Sequence, residues 1–311
     1  MKGLENTQSF ALKRSLSSPS NSLSENIFKG LLYVATSVSV VTTIGIVVVL
    51  LSEAIQFFKE ISFVEFFTGT QWTPLIEPKH FGILPLVCGT LLVGVGASLI
   101  AVPVGVASAL FLSEYVRGSL RTILKSTLEV LAGIPTVVYG YLAITFVTPQ
   151  LQQFIPNLEV FNALSAAIVV GIMIIPTISS VSQDAFEAVP RELRDAAYGL
   201  GGRKHQVAMT VVFPAALSGF VASVILGFSR AIGETMAVTL AAGSTPKLSF
   251  NPLQSIQTMT SYIVQVSLGD TPAGTIEYRS IFVVGLTLFS MTLISNLIAQ
   301  WFSRRFQERY L

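Results

Sequence analysis

Long stretches of this chain carry no charged residue, and they constrain its fold more than any other feature. One runs from Phe81 to Ser113 and another from Gly30 to Ser52. The second, with 23 residues at about 1.5 Å each, spans roughly 34 Å as a helix, which is enough to cross the hydrocarbon core of a bilayer. Because 51% of the residues are hydrophobic and only 12% are charged, the chain has more apolar surface than a soluble domain of its length buries. We therefore expect an all-α integral membrane protein.

Six apolar segments are long enough to cross a membrane, so residues 27–311 are expected to form one six-span domain. We place the spans at about 30–57, 82–113, 127–148, 163–182, 214–243 and 280–303. The second is interpreted as one long kinked helix, since it contains Pro85 and Pro103 but no polar turn. Residues 1–26 are polar and rich in serine, and a disordered tail is expected there.

The distribution of basic residues predicts the orientation of these spans. Six spans place both termini on one side, where eleven basic residues lie near span ends, against four on the other side. Basic residues are enriched on the cytoplasmic side of membrane proteins, so both termini are expected there. The eleven are Lys29, Arg117, Arg121, Lys125, Arg191, Arg194, Arg203, Lys204, Arg304, Arg305 and Arg309.

The segment 190–214 is a long charged stretch between two spans, and its pattern predicts two short helices. Pro190 suits a helix start, because its missing N–H would be unpaired there anyway. Gly201 and Gly202 are expected to end the first helix, since glycine adopts the left-handed conformation found at helix ends. A second helix beginning near Arg203 leads into the next span at Pro214.

Arg230 and Glu234 are charged positions inside the expected fifth span. Charged groups inside a membrane are costly and face a partner or a water-filled path. Their spacing of four predicts that both side chains lie on one helix face. One interpretation is an internal ion pair that fixes the helix in the bundle. The other is that Arg230 lines a translocation path and donates hydrogen bonds to an oxyanion, with Glu234 accepting one from protonated phosphate, which sulfate cannot offer.

An outer loop contains the segment 254–266, in which Ile256, Met259, Ile263 and Val266 recur at helical spacing. This pattern predicts a short amphipathic helix lying on the outer membrane face. We expect it to cover the bundle, with a gate or a docking element as the alternative.

Catalytic motifs are absent from the sequence, so the chain is not expected to be an enzyme or to bind a cofactor. It has no G-x-x-x-x-G-K-[ST] phosphate-binding loop, and the run GLGGRK at 199–204 lacks that spacing. His80 and His205 are isolated, and Cys88 is the single cysteine, so no metal site is expected. Energy for uphill transport must then come from another protein.

The segment 190–214 resembles a known motif. Asp195-Ala196-Ala197, three residues, Gly201, nine residues and then Val211-Val212-Phe213-Pro214 is similar to the EAA loop of ABC importer permeases, and we call residues 190–214 the EAA loop. The segments that extend the resemblance to the PstC-type permease of the phosphate importer are FGILPLVCGTL (81–91), AVPVGVASALFLSEY (101–115), LEVLAGIPTVVYG (128–140), AVPRELRDAAYGLG (188–201) and ILGFSRAIGETMAV (225–238).

This resemblance implies a type I permease fold in the inner membrane and three kinds of partner. They are a PstA-type permease subunit forming a heterodimer, two copies of a cytoplasmic ATPase, and an external phosphate-binding protein. The residues implied to couple this chain to the ATPase are Arg191, Glu192, Leu193, Arg194, Asp195, Ala196, Ala197, Leu200 and Gly201. Import of molybdate, tungstate or sulfate stays open, as does an ion-coupled secondary transporter, although no convincing inverted repeat is found.

Overall fold

The computed structural model describes residues 22–307, and these form helices with no strand among them. The expected all-α fold is confirmed. In chain order the helices are α1 (Ser22–Glu60), α2 (Phe63–Thr68), α3 (Leu84–Leu110), α4 (Ser119–Gly133), α5 (Thr136–Leu142), α6 (Thr148–Gln152), α7 (Ala163–Glu187), α8 (Arg191–Gly199), α9 (Lys204–Val207), α10 (Phe213–Ala215), α11 (Leu217–Ile232), α12 (Met236–Ala242), α13 (Met259–Ser267) and α14 (Ile276–Gln307). Turns of π-helix follow α3, α5 and α9, at Phe111–Tyr115, Ala143–Val147 and Ala208–Val212.

The chain divides into two compact units, Met1–Ser52 and Glu53–Leu311. The described part of the first unit is the N-terminal portion of α1, whose apolar side chains are exposed, as expected for contact with lipid. This helix begins at Ser22, so residues 22–26, which were expected in the disordered tail, are helical. The rest of that tail, residues 1–21, lies outside the described residues.

The core of the second unit is built on α3 and α7. Small residues on both helices are fully buried, among them Ala97, Ala101, Ala166 and Gly171, so the two backbones approach closely. Asn162 caps the start of α7, since its side chain accepts a hydrogen bond from the Ser165 N–H at 2.7 Å. The bundle therefore rests on a close helix pair of the kind found in membrane interiors.

Among residues 22–307, four helices are long and apolar enough to cross a membrane: α1, α3 with its π-turn, α7 and α14. The number rises to six if each of two bent helix pairs counts as one span. These pairs are Ser119–Gly133 with Thr136–Gln152, bent by 86°, and Lys204–Ala215 with Leu217–Ile232, bent by 74°.

The expected third and fifth spans differ from the structure because neither is a continuous helix. The helix expected over 127–148 breaks at Ile134, which takes an extended conformation because the following Pro135 disfavours the helical one. The helix expected over 214–243 ends at Ile232, and α12 starts only after a break at 233–235.

Ion pairs connect the loops at each end of the bundle. At the end where α3 starts, Lys79 lies 2.7 Å from Glu277, and the hydrogen bond between them raises the pKa of Lys79 above its usual value. Arg279 lies 2.8 Å from Glu60 at the same end. The loops that follow α3 and α7 meet at the other end. The order of the spans predicts that these two loops lie at the same end of the bundle.

Helix α13 packs one face against the bundle, and its other face is exposed. The segment 254–266 was expected to be helical throughout, but the helix begins at Met259, with the Thr258 side chain accepting from the Ser261 N–H. Met259 and Tyr262 are buried in an aromatic cluster with Trp72, whose ring lies 4.9 Å from that of Tyr262. The helix is amphipathic as predicted, since Met259 and Val266 are buried while Gln265 and Ser267 are exposed, and its position relative to the membrane stays a prediction.

Candidate functional site

The EAA loop has the predicted helix, glycine and helix arrangement. Helix α8 follows Pro190 and ends in a Schellman motif, in which the Gly202 N–H donates to the Ala197 carbonyl (3.1 Å) and the Gly201 N–H to the Tyr198 carbonyl (2.9 Å). Gly201 has φ of 83°, a left-handed conformation that favours glycine. The prediction that this glycine ends the helix is confirmed.

Helix α8 and the turn after it present a mixed apolar and charged surface. Leu200 is 91% exposed and Leu193 is 43% exposed, and neighbouring residues carry charged side chains. Among the nine residues implied to couple to an ATPase, the exposed ones are Arg191, Glu192, Leu193, Asp195, Ala196, Leu200 and Gly201. Ala197 instead packs against the cluster of buried residues that contains Val207 and Val212.

Arg194 differs from the expectation that it would face a partner, because its side chain is turned into the protein. Its Nε and Nη2 donate to Glu114 Oε1 at 3.2 and 3.1 Å. Nη2 also donates to the Phe186 carbonyl at 2.6 Å, and Nη1 to the Val189 carbonyl at 2.5 Å. One guanidinium therefore joins α8 to the π-turn after α3 and to the end of α7. Cations are favourable at such helix ends, where carbonyls lack partners.

Arg230 and Glu234 do not share a helix face, so that expectation is wrong. Arg230 lies in the last turn of α11, and the helix ends at Ile232. Glu234 lies in the break at 233–235, where its Oε1 accepts from the Ala237 N–H (3.2 Å) in the first turn of α12. Helix α11 ends before Gly233, and residues 233–235 are not helical, so the two charges belong to different elements.

The surroundings of the two side chains are polar. The exposed Arg230 donates from Nη1 to the Thr177 hydroxyl on α7 at 3.0 Å. The Thr260 hydroxyl on α13 donates to the backbone carbonyl of Glu234 at 2.8 Å. In the part of the chain that the structure describes, the other guanidinium N–H groups and Glu234 Oε2 have no hydrogen-bond partner, so both groups retain capacity for a ligand.

Two of the motifs that carry the sequence resemblance meet at this site. Helix α5, from AGIPTVVYG, packs on α12, from SRAIGETMAV. A Cβ placed on Gly140 would lie 2.9 Å from Leu240 Cβ and 3.1 Å from Ala237 Cα, so only glycine allows this approach. The Tyr139 hydroxyl donates to the Leu131 carbonyl at 2.9 Å and connects the two sides of the bend at 134–135.

Sequence reasoning missed Glu114, Thr177 and Thr260 as site residues. Glu114 carried a usable signal, because it is the first charge after the uncharged run that ends at Ser113. Thr177 and Thr260 carried none, since each contacts a residue far away in sequence.

The comparison with known proteins assigns the family. A family profile described as "Binding-protein-dependent transport system inner membrane component" matches residues 101–308. The chain belongs to this family. It is therefore a permease subunit of ABC importers and a multi-pass protein of the inner membrane.

Individual relatives agree with this assignment. The permease is 33% identical over 277 residues to the probable ABC transporter permease protein YqgH of Bacillus subtilis, over 88% of this chain and 87% of the relative. It is 34% identical over 257 residues to the phosphate transport system permease protein PstC of Xylella fastidiosa, over 76% of this chain and 78% of the relative.

The fold is shared with solved importers. A chain of a bacterial ABC transporter involved in the import of the acidic polysaccharide alginate superposes with a TM-score of 0.60 at 17% identity. The match covers 92% of this permease and 99% of that chain. At this identity the similarity concerns the fold alone, and it agrees with the expected type I permease architecture.

Proposed function

We propose that this permease is the PstC-type subunit of an ATP-driven importer that translocates inorganic phosphate across the inner membrane. The observation that carries the proposal is Arg230, an exposed cation and the only charged residue in α11. A guanidinium facing lipid is costly, so a path or a partner must cover it. Relatives that include proteins of Xylella fastidiosa and Haemophilus influenzae are described as phosphate transport permeases, which supports phosphate as the anion.

The chemistry of the two charged groups favours a protonated oxyanion. The planar guanidinium of Arg230 offers donors that match phosphate oxygens. The free Oε2 of Glu234 accepts a hydrogen bond from a phosphate hydroxyl but repels a fully ionised anion. Both groups are assigned to the anion, with Arg230 as the donor and Glu234 as the acceptor.

The proposed partners are the three kinds that the resemblance implies. A PstA-type subunit covers the face that carries Arg230 and forms a heterodimer with this chain. Two cytoplasmic ATPase subunits act on the complex, and one docks on α8 through Leu193, Leu200 and the charges between them. An external phosphate-binding protein delivers the substrate. Both termini and the EAA loop are cytoplasmic, as the basic residues near the span ends predict, and transport proceeds by alternating access between two global states.

Uptake by the complete importer in vesicles tests the substrate. Phosphate uptake is measured with sulfate, molybdate or tungstate as competitor, for the unaltered importer and for Glu234→Gln. We expect phosphate to be preferred, and Glu234→Gln to reduce its preference over sulfate. Glu65→Gln, an exposed carboxylate on α2, is the matched control. An unchanged preference in Glu234→Gln contradicts the assigned role, and stronger uptake of another oxyanion contradicts phosphate as substrate.

A further inference from the structure

A cavity between α4 and α7 lies next to the Arg230 site and has no role in the function proposed above. It has a volume of about 190 Å³, which is well above the ~10–15 Å³ that one water needs. Its lining comes from α4 on one side and from α7 on the other. The lining residues are Lys125, Leu128, Glu129, Ala132, Pro176, Thr177, Ser180 and Gln183.

Thr177 connects this cavity to Arg230. Its hydroxyl accepts the hydrogen bond from Arg230 Nη1 at 3.0 Å, and the same side chain lines the cavity. The Arg230 guanidinium and the cavity are therefore in contact with the same side chain.

Polar groups continue from Thr177 along one face of α7. Ser180, Asp184 and Glu187 follow it at spacings of three and four, and all three are exposed. The Gln183 side chain donates to Glu187 Oε1 at 2.7 Å, and Arg121 on α4 pairs with the same carboxylate. This polar face ends at the EAA loop end of the bundle, so the cavity lies between Arg230 and that end.

Lys125 supplies a cation on the opposite wall. It is exposed, and it has no hydrogen-bond partner among residues 22–307. Glu129 lies one helical turn further along α4 and lines the same cavity. A cation beside a carboxylate attracts an anion only weakly, which suits a site that must release its ion as well as bind it. Helix α4, which forms this wall of the cavity, has no buried residue.

We propose that this cavity is a second anion site, in which Lys125 receives phosphate from Arg230 on its way to the cytoplasm. The inference rests on the proposed function, because it requires phosphate to pass Arg230. Lys125 contacts the anion, and Thr177 positions the guanidinium beside the cavity.

The test compares Lys125→Gln, Lys125→Arg and Lys59→Gln in the complete importer in vesicles. Lys59→Gln makes the same charge change on α1, away from the cavity. We expect Lys125→Gln to slow phosphate uptake about tenfold, the effect of one charge-assisted hydrogen bond. Lys125→Arg should restore uptake, Lys59→Gln should leave it unchanged, and all variants should keep the ATPase activity stimulated by the binding protein.

The outcomes distinguish failure of the second anion site from failure of the proposed function. Unchanged uptake by Lys125→Gln overturns the second site, and so does loss of the stimulated ATPase activity, which would assign Lys125 a structural role. Failure of Lys125→Arg to restore uptake also overturns it. If the unaltered importer takes up no phosphate, the proposed function itself is wrong.

Discussion

The guanidinium of Arg194 lies 3.1 Å from the carboxylate of Glu114, and the two side chains are only 15% and 8% exposed. The contact joins residues of the EAA loop and of the π-turn after α3, which are 80 positions apart. The same guanidinium bonds the Phe186 and Val189 carbonyls at the end of α7. A displacement of α8 by a bound ATPase is therefore expected to move both core helices.

Removing the charge of Glu114 should weaken this connection. In Glu114→Gln the buried guanidinium loses its counter-ion, and we expect a destabilisation of about 2 kcal/mol. ATP hydrolysis should continue, while the amount of phosphate imported per ATP hydrolysed falls severalfold. Phosphate uptake and ATP hydrolysis are both measured in vesicles. Glu60→Gln removes a more exposed carboxylate, paired with Arg279 at the other end of the bundle, and is the control. An unchanged ratio in Glu114→Gln would show that the pair plays no part in coupling.

The left-handed conformation of Gly201 predicts a specific effect of adding a methyl group. Gly201→Ala should destabilise the end of α8 by about 1–2 kcal/mol, because a Cβ is unfavourable at φ of 83°. Thermal unfolding of the purified chain and co-purification with the ATPase measure this. Gly199→Ala is the matched control, since a Cβ there meets no atom within 4 Å. Equal stability of the two variants would contradict the role assigned to Gly201.

The hydrogen bond between Arg230 and Thr177 predicts a loss of transport in Thr177→Val. The substitution keeps the shape of the side chain but removes the acceptor at 3.0 Å, so Arg230 loses its position. Phosphate uptake should fall about tenfold, as expected for a hydrogen bond to a charged group. Thr127→Val, whose hydroxyl bonds only its own helix at Ile123, should transport normally. Wild-type uptake by Thr177→Val would rule out this positioning role.

Much of the fold could be predicted because a helix that crosses a membrane needs a long apolar run, and such runs are visible in the sequence. Uncharged runs predicted α3, α7 and α14 to within about five residues at each end. The start of α1 was predicted too late, at residue 30 instead of Ser22. The turn at Gly201 was predictable from local backbone preference. The breaks at 134–135 and 233–235 were not predicted, because hydropathy does not report the direction of the chain. Pro135 carried a local signal for the first break, through its effect on Ile134.

The candidate site was predicted less completely, for a physical reason. Arg230 and Glu234 could be recognised from the sequence, because a charged side chain inside a membrane is costly whatever surrounds it. Their relative position depended on where α11 ends, which their spacing alone does not determine. The inward orientation of Arg194 depends on Glu114, a contact that no local pattern encodes.

ATP-dependent phosphate uptake into vesicles tests the central claim most directly. The vesicles contain this permease with its PstA-type partner and the ATPase, and the phosphate-binding protein is added on the outer side. We predict uptake that requires ATP, the ATPase and the binding protein together. Phosphate uptake by this chain alone without ATP, or none by the complete importer, would contradict the account.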